Sequence, residues 1–184
     1  VDVRNAGFKL APVDTNLFPG GFNNLAPEMM PLAIQAAVSA IERICPEAKS
    51  MVLVPEKHTR NTFYLSNVAR LAAILKQTGL DIRLGSVSDE ITEPTRFDLP
   101  DGQSLLLEPL KRMGNRVGVD GLEPCAILLN NDLSAGVPEI LKNIKGQILV
   151  PPVHAGWATR RKSTHFAAYD NVVESFCDML GIDP

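Results

Sequence analysis

The densest group of side chains that could do chemistry lies in residues 154–165, which combine three consecutive cations, two imidazoles and several hydroxyls. The planar guanidinium of arginine suits bidentate recognition of a carboxylate or a phosphate. A helix is predicted to follow, and the N–H groups of its first turn would add donors for an anion. We therefore predict an anion-binding loop; the alternative is a basic surface loop with its tryptophan packed on the core. The candidate binding residues are Trp157, Arg160, Arg161 and Lys162.

A second polar segment, residues 56–61, follows a short apolar run and precedes another predicted helix. His58 and Arg60 are candidate binding residues here, because a helix N-terminus favours an anion. Two ordinary interpretations remain open, with Thr59 as the helix N-cap and Arg60 as a solvated first-turn residue.

Asparagines supply the remaining candidates. Asn130 and Asn131 precede Asp132, and Asn16 follows Thr15. Their amides could orient an amino group or a backbone amide of a ligand, although Asn and Asp are also common turn formers. The Phe-Pro-Gly-Gly-Phe segment at 18–22 is either a flap over such a site or a rigid connector.

The elements that must position these residues alternate between strands and helices. Helices are predicted where apolar residues recur at a helical period, at 28–44, 60–78, 136–144 and 164–180. Strands are predicted where short apolar runs lie between turn residues, at 7–14, 51–54, 81–85, 125–129 and 147–150. This alternation predicts one α/β domain over residues 1–184, an open, mostly parallel sheet flanked by helices.

The stretch 88–119 breaks the alternation. A Pro-Asp-Gly turn at 100–102 precedes the apolar run 105–107, which predicts a small antiparallel hairpin insertion.

The polar groups all follow predicted strands. Ligands bind beyond the carboxyl ends of the strands in an open parallel sheet. We therefore expect one site for a small polar ligand at that edge, formed by the four loops described above.

Composition excludes several classes of protein. The chain has 18 basic and 21 acidic side chains and a net charge of −3, which argues against a nucleic-acid or anionic-membrane binder. No apolar run approaches the roughly 20 residues that span a bilayer. The three cysteines are odd in number and far apart, which favours free thiols in a reducing compartment such as the cytoplasm. Whether the chain forms a homo-oligomer stays open.

Motifs that hold a nucleotide triphosphate or a catalytic metal are missing from the sequence. It contains no G-x-x-x-x-G-K-[ST], G-x-G-x-x-G, H-E-x-x-H, C-x-x-C or G-x-S-x-G. No nucleophile–base pair can be assigned either, so the catalytic residues are unknown. The chain opens at Val1 without a methionine and stops at Pro184 just after a helix. We interpret it as a piece of a longer protein, with a trimmed whole protein as the alternative.

Three long segments of the sequence are distinctive: NAGFKLAPVDTNLFPGGFNNL at 5–25, PEKHTRNTFY at 55–64 and PVHAGWATRRKSTHF at 152–166. They resemble a bacterial family of glutamate–cysteine ligases, the type related in layout to glutathione synthetase and the ATP-grasp enzymes. The likeness runs over most of the chain, and strings of this length are far more specific than a short motif.

The resemblance implies a reaction in two steps. ATP would phosphorylate the γ-carboxylate of glutamate, and the amine of cysteine would attack the acyl phosphate, with Mg²⁺ neutralising the phosphates. This chain would be the amino-terminal, substrate-side domain, similar to a pre-ATP-grasp domain. A carboxy-terminal ATP-grasp domain of the same polypeptide would bind most of the ATP and Mg²⁺, so the fragment alone would be inactive.

By analogy with glutathione synthetase, loops of this domain would hold an amino-acid substrate. Two alternatives remain. The first is glutathione synthetase itself or another peptide-forming ligase of the same layout. The second is a non-catalytic domain that senses a small anion.

Overall fold

Within the residues that a computed structural model describes, the chain forms ten strands and three α-helices. These residues are 2–14, 18, 20–57, 60–159 and 161–183, with the backbone alone described at 2, 3 and 10–14. The helices are α1 (Met30–Ile44), α2 (Thr62–Lys76) and α3 (Lys162–Leu180). The strands are β1 (Asp2–Asn5), β2 (Leu10–Asp14), β3 (Ser50–Pro55), β4 (Asp81–Ser86), β5 (Thr95–Asp98), β6 (Ser104–Pro109), β7 (Lys111–Met113), β8 (Arg116–Gly118), β9 (Ala126–Asn130) and β10 (Ile148–Val150).

A six-stranded sheet with the order β10-β9-β3-β4-β6-β5 organises the fold. Its first five strands are all parallel to their neighbours, and β5 pairs antiparallel with β6 at the edge. The sequence-based prediction of an α/β fold with a mostly parallel sheet, flanking helices and a small antiparallel hairpin is therefore confirmed.

The central strand β3 is buried on both faces. Met51 and Leu53 pack on one face, against side chains of α2. Val52 and Val54 pack on the other face, in a cluster with β8, β9 and the turn at Leu141. A strand that is covered on both sides reads as a continuous apolar run rather than an alternating one, which is why this segment was recognisable from the sequence.

The helices begin and end close to their predicted limits. α2 buries an apolar stripe that includes Leu65, Val68 and Leu75. α3 ends at Gly181, whose positive φ of 66° is the left-handed conformation that closes a helix without a steric penalty. Only Cys177 of the residues in α3 is buried, and Phe176 and Met179 are largely exposed.

The amino-terminal segment differs from the prediction of a single strand at 7–14. It forms an antiparallel hairpin of β1 and β2, which is a separate two-stranded sheet. Gly7 makes the turn with φ +86°, and its N–H donates to Asn5 Oδ1 at 2.8 Å. The end of β2 therefore does not belong to the carboxyl edge of the central sheet, contrary to the expectation for the segment that carries Asn16.

The stretch 88–119 contains the predicted hairpin, but it is not an insertion outside the sheet. β5 and β6 flank the turn at Gly102, which has φ +81°. β6 also pairs in parallel with β4, so the hairpin extends the central sheet. A second hairpin, β7–β8, follows it.

The prediction of a helix at 136–144 was wrong. Only a 3-10 turn, Glu139–Leu141, forms there. Pro138 disfavours helical backbone at the residue before it, and the backbone is extended at Pro138 and at Lys142, with ψ angles of 143° and 150°. The Arg112 N–H groups donate to the carbonyl oxygens of Ile140, Lys142 and Asn143 at 2.7–3.1 Å and hold the turn in this shape.

Among the described residues, no helix is both long and apolar enough to cross a membrane.

Candidate functional site

The five parallel strands end on one edge of the sheet, and the loops that follow them form the candidate site. From β3 the chain runs through α2 to β4 on one side, whereas β9 lies on the other side of β3. This reversal makes the gap between the ends of β3 and β9 the topological switch point, where ligands of open α/β sheets bind.

Side chains at the ends of β3 and β9 bond the two strand ends together. The Glu56 carboxylate accepts the N–H of Asp132 at 2.7 Å. The Asn131 amide donates to the Pro55 carbonyl at 3.2 Å, and its Oδ1 accepts the N–H of Leu133 at 2.9 Å. Asn131 is buried, so these bonds satisfy a polar group that would otherwise be costly to bury. The observed contacts of Asn131 hold the loop after β9 in place, and its contact with a ligand stays a prediction.

The hydroxyl of Tyr64 joins α2 to both strand ends. It accepts the N–H of Glu56 at 2.8 Å and lies 3.0 Å from the carbonyl oxygen and 3.1 Å from Oδ1 of Asn130. Burial is the largest cause that raises the pKa of Tyr64 above its usual range, and the negative charges of Glu56 and Asp132 act in the same direction. The N–H of Glu56 opposes them. The hydroxyl therefore stays protonated and remains a donor to Asn130.

The loop before α3 packs onto the loop after β9. The N–H of Trp157 donates to the Asp132 carbonyl at 2.9 Å. A Cβ at Gly156 would lie 2.8 Å from the Cβ of Leu133 and 3.0 Å from the Asp132 oxygen. Only glycine allows so close an approach, and the two loops are therefore in direct contact at the sheet edge.

Two of the predicted cations lie at the beginning of α3. Arg161 is exposed directly before the helix, and Lys162 is its first residue. The Lys162 ammonium lies 5.0 Å from the centre of the Trp157 ring, within the range of a cation–π interaction. His165 meets the same ring edge-on, with the ring centres 5.7 Å apart. The structure thus brings the Lys162 ammonium to the Trp157 ring and the Trp157 backbone to Asp132, and Arg161 directly precedes Lys162.

The beginning of α2 lies on the other side of the switch point. Arg60 is exposed in the turn before the helix. Asn61 caps the helix by accepting the N–H of Tyr64 at 3.1 Å, so the N-cap is not Thr59. Asn130 is also in this region and is buried at the end of β9.

Three of the predicted binding residues lie outside the described residues, and their roles stay predictions: Asn16, His58 and Arg160. The segment 18–22 is anchored at its end, because the N–H of Phe22 donates to Asn67 Oδ1 at 2.8 Å and the Phe22 ring packs against the core. This favours the rigid connector over the flap at that end of the segment.

Sequence reasoning missed Glu56 and Tyr64 as members of the site. Tyr64 lies within the helix predicted at 60–78, whose apolar period accounts for its ring but not for its hydroxyl. The available signal was chemical, because a buried tyrosine hydroxyl normally requires a partner. Among the described residues, no group of three His, Cys, Asp or Glu side chains is placed to hold a metal ion.

No curated protein sequence matches this chain. Among solved structures, it is similar to a protein from Methylobacillus flagellatus KT that carries the provisional name gamma-glutamylcysteine synthetase. The TM-score is 0.91 and the sequence identity is 62%. The match covers 100% of this chain and 43% of that chain, so this chain spans less than half of the length of its structural relative.

The family model for glutamate-cysteine ligase matches residues 1–184, which is every residue of the chain. The strings at 5–25, 55–64 and 152–166 lie within this match. The chain therefore belongs to the glutamate-cysteine ligase family.

Proposed function

We propose that this chain is the substrate-side domain of an ATP-dependent ligase that joins the γ-carboxylate of glutamate to the amine of cysteine, the first step of glutathione biosynthesis. The observation that carries the proposal is the family match over all of residues 1–184, supported by a structural relative with 62% identity. The chain spans 43% of that relative, and the proposal accordingly assigns this chain only part of the work.

ATP supplies the phosphoryl group that activates the γ-carboxylate, and Mg²⁺ neutralises its charge. We assign both mainly to a carboxy-terminal ATP-grasp domain of the same polypeptide, because this chain spans 43% of its structural relative.

The role of this chain is to bind and orient amino acids at the sheet edge. Arg161 and Lys162, with Arg160 before them, supply positive charge for a carboxylate or the transferred phosphoryl group. The Trp157 ring holds the Lys162 ammonium on one side of this site. The bonds of Glu56 and Tyr64 hold the loop of Asp132, onto which the Trp157 backbone packs, so these loops lose less freedom when a substrate binds.

The cysteine nitrogen then forms the amide bond to the carbon of the γ-carboxyl group as the bond from that carbon to the phosphate oxygen breaks. Exclusion of water protects the acyl phosphate from hydrolysis during this step. Proton removal from the ammonium group of cysteine is required before attack, and we assign no residue of this chain to it.

The test is a coupled ADP-release assay on the full-length protein with glutamate and cysteine, each omitted in turn. We expect ADP release at a steady rate only when both amino acids are present. ADP release that instead requires γ-glutamylcysteine and glycine would assign the protein as glutathione synthetase. A protein that binds amino acids without releasing ADP would be a non-catalytic sensor.

A further inference from the structure

A second cleft opens at the carboxyl ends of β3, β4 and β6, next to the bonds between Glu56 and Asp132. Its volume is about 520 Å³. Lys57 lines it after β3, Ser86 and Asp89 line it at the end of β4, and the turn at Glu139 closes one side. The cleft therefore occupies the edge of the sheet at which parallel α/β folds bind ligands, on three adjacent strand ends.

The cleft is lined by charged side chains of both signs, and Lys57 and Asp89 do not pair with each other. Lys57 and Asp89 are exposed, and within the described residues neither takes part in a salt bridge. Glu139, by contrast, is paired with Lys142 at 2.7 Å. Among the described residues that line it, the cleft thus presents one available cation and one available anion.

Between the charges lie a buried hydroxyl and an apolar floor. Ser86 is 7% exposed, and its Oγ accepts the N–H of Ser88 at 3.1 Å, which leaves the hydroxyl hydrogen for another acceptor among the groups in the cleft. Val87, Ile91 and Leu110 are buried and line the floor. A free α-amino acid has the matching groups, a carboxylate and an ammonium on one carbon and a short chain of methylene groups.

We propose that this cleft binds a free α-amino acid, with Lys57 paired to the α-carboxylate and Asp89 paired to the α-ammonium group. A simple anion such as phosphate would be repelled by Asp89, and a metal cation would be repelled by Lys57. The inference rests on the proposed function only for the identity of the amino acid, which is one of the two substrates of the ligase.

The test uses variants of the full-length protein. It compares charges that follow β3 and β4 with charges at the beginning of the same two strands. Lys57→Met and Asp89→Asn remove the charges in the cleft. Lys49→Met and Asp81→Asn are matched controls, because they remove exposed charges that precede β3 and open β4 at the opposite edge. Circular dichroism and melting temperature serve as the check that all four variants are folded.

The primary readout is the KM of glutamate and the KM of cysteine, each measured in the ADP-release assay at saturating levels of the other. We expect both cleft variants to raise the KM of the same amino acid by about ten- to hundredfold, the effect of losing one charge-assisted bond. The KM of the other amino acid and both values in the control variants should change by less than about twofold.

The second readout is calorimetric titration with L-glutamate and L-cysteine and with analogues that lack one charged group, namely glutarate, 4-aminobutanoate, 3-mercaptopropanoate and cysteamine. Lys57→Met should weaken binding of the intact amino acid but not binding of its analogue without the α-carboxylate. Asp89→Asn should weaken binding of the intact amino acid but not binding of its analogue without the ammonium group.

The two claims fail in different ways. Unchanged KM and Kd values in both cleft variants, in a protein that still releases ADP with glutamate and cysteine, would overturn the proposed amino-acid site. The proposed ligase activity would stand. Amino-acid binding that depends on Lys57 and Asp89, in a protein without ADP release, would support the amino-acid site and overturn the proposed ligase activity.

Discussion

Arg161 is the side chain of the described residues from which we expect the largest effect on catalysis. It precedes α3 next to the Lys162–Trp157 contact, and the first N–H groups of a helix have no partners within the helix. Arg161→Ala should lower kcat/KM of the full-length enzyme by about ten- to hundredfold, because losing a charge-assisted bond costs roughly 1.5–3 kcal/mol. Steady-state kinetics measures this effect.

Two variants control for charge and for folding. Arg161→Lys should recover little activity, since an ammonium group cannot reproduce the bidentate geometry of guanidinium. Arg43→Ala removes an exposed arginine from the last turn of α1 and should leave kcat/KM unchanged. Near-wild-type efficiency of Arg161→Ala would place Arg161 outside the site.

Cys125 gives a prediction for the effect of pH. Its Sγ lies 2.9 Å from that of Cys45. Burial and the contact with Cys45 raise the pKa of Cys125 to about 11. Because the thiolate is the reactive form, alkylation of Cys125 by iodoacetamide should be slow at neutral pH and should rise about tenfold per pH unit toward pH 11. Peptide mass spectrometry follows each cysteine separately.

The Cys45→Ser variant distinguishes the two causes. It removes the contact with the Cys45 thiol and leaves the burial of Cys125 in place, so the alkylation profile of Cys125 should move to lower pH. A wild-type profile that already levels off near pH 8.5, the ordinary value of a free thiol, would contradict a raised pKa.

Residue types at the strand ends were predictable, but their partners were not. Asn130, Asn131 and the segment 56–61 are polar residues after apolar runs, which is a local pattern. The bonds of Glu56 and Asn131 join residues that are 76 positions apart in the chain. They depend on the register in which β3 and β9 pair, and the register cannot be derived from either segment alone.

At the scale of elements, the Tyr64 hydroxyl links α2, β3 and β9. Tyr64→Phe would leave the N–H of Glu56 without this acceptor and remove the donor to Asn130. We expect the free energy of unfolding to fall by roughly 1–3 kcal/mol, the cost of an unsatisfied buried polar group. Urea titration measures the loss. Tyr169→Phe, in α3, is the matched control and should change stability by less than about 0.5 kcal/mol; equal stability of both variants would refute the structural role of Tyr64.

Gly156 determines how closely the loop before α3 approaches the loop after β9. Gly156→Ala should lower the free energy of unfolding by roughly 1–3 kcal/mol, because the new Cβ would lie 2.8 Å from the Cβ of Leu133. The control is Gly20→Ala, where a Cβ meets nothing within 4 Å. If thermal unfolding shows no difference between the two variants, the loops are not in the close contact described above.

Element boundaries were predictable where the pattern is local and strong, as in the buried run of β3 and the closure of α3 at Gly181. The helix predicted at 136–144 does not form, because Pro138 disfavours helical backbone at the residue before it and the backbone is extended at Pro138 and Lys142. The pairing of β6 with β4 was also missed, because strand neighbours are decided by packing and not by the turn at 100–102.

At the scale of the whole molecule, alternation of strands and helices was sufficient to predict the α/β class. The edge that carries the candidate site followed from that class alone. The family could not be derived from periodicity or composition; it required the long strings at 5–25, 55–64 and 152–166. The proposed division of labour between domains can be tested only on the full-length protein, since this chain spans 43% of its structural relative.

Oxygen transfer from glutamate tests the central claim most directly. The full-length protein is supplied with ATP, cysteine and glutamate that carries ¹⁸O in its γ-carboxylate, and the released phosphate and the peptide are analysed by mass spectrometry. Activation through an acyl phosphate predicts one labelled oxygen in phosphate for each γ-glutamylcysteine formed. Formation of γ-glutamylcysteine with unlabelled phosphate, or release of phosphate without this peptide, would contradict the account.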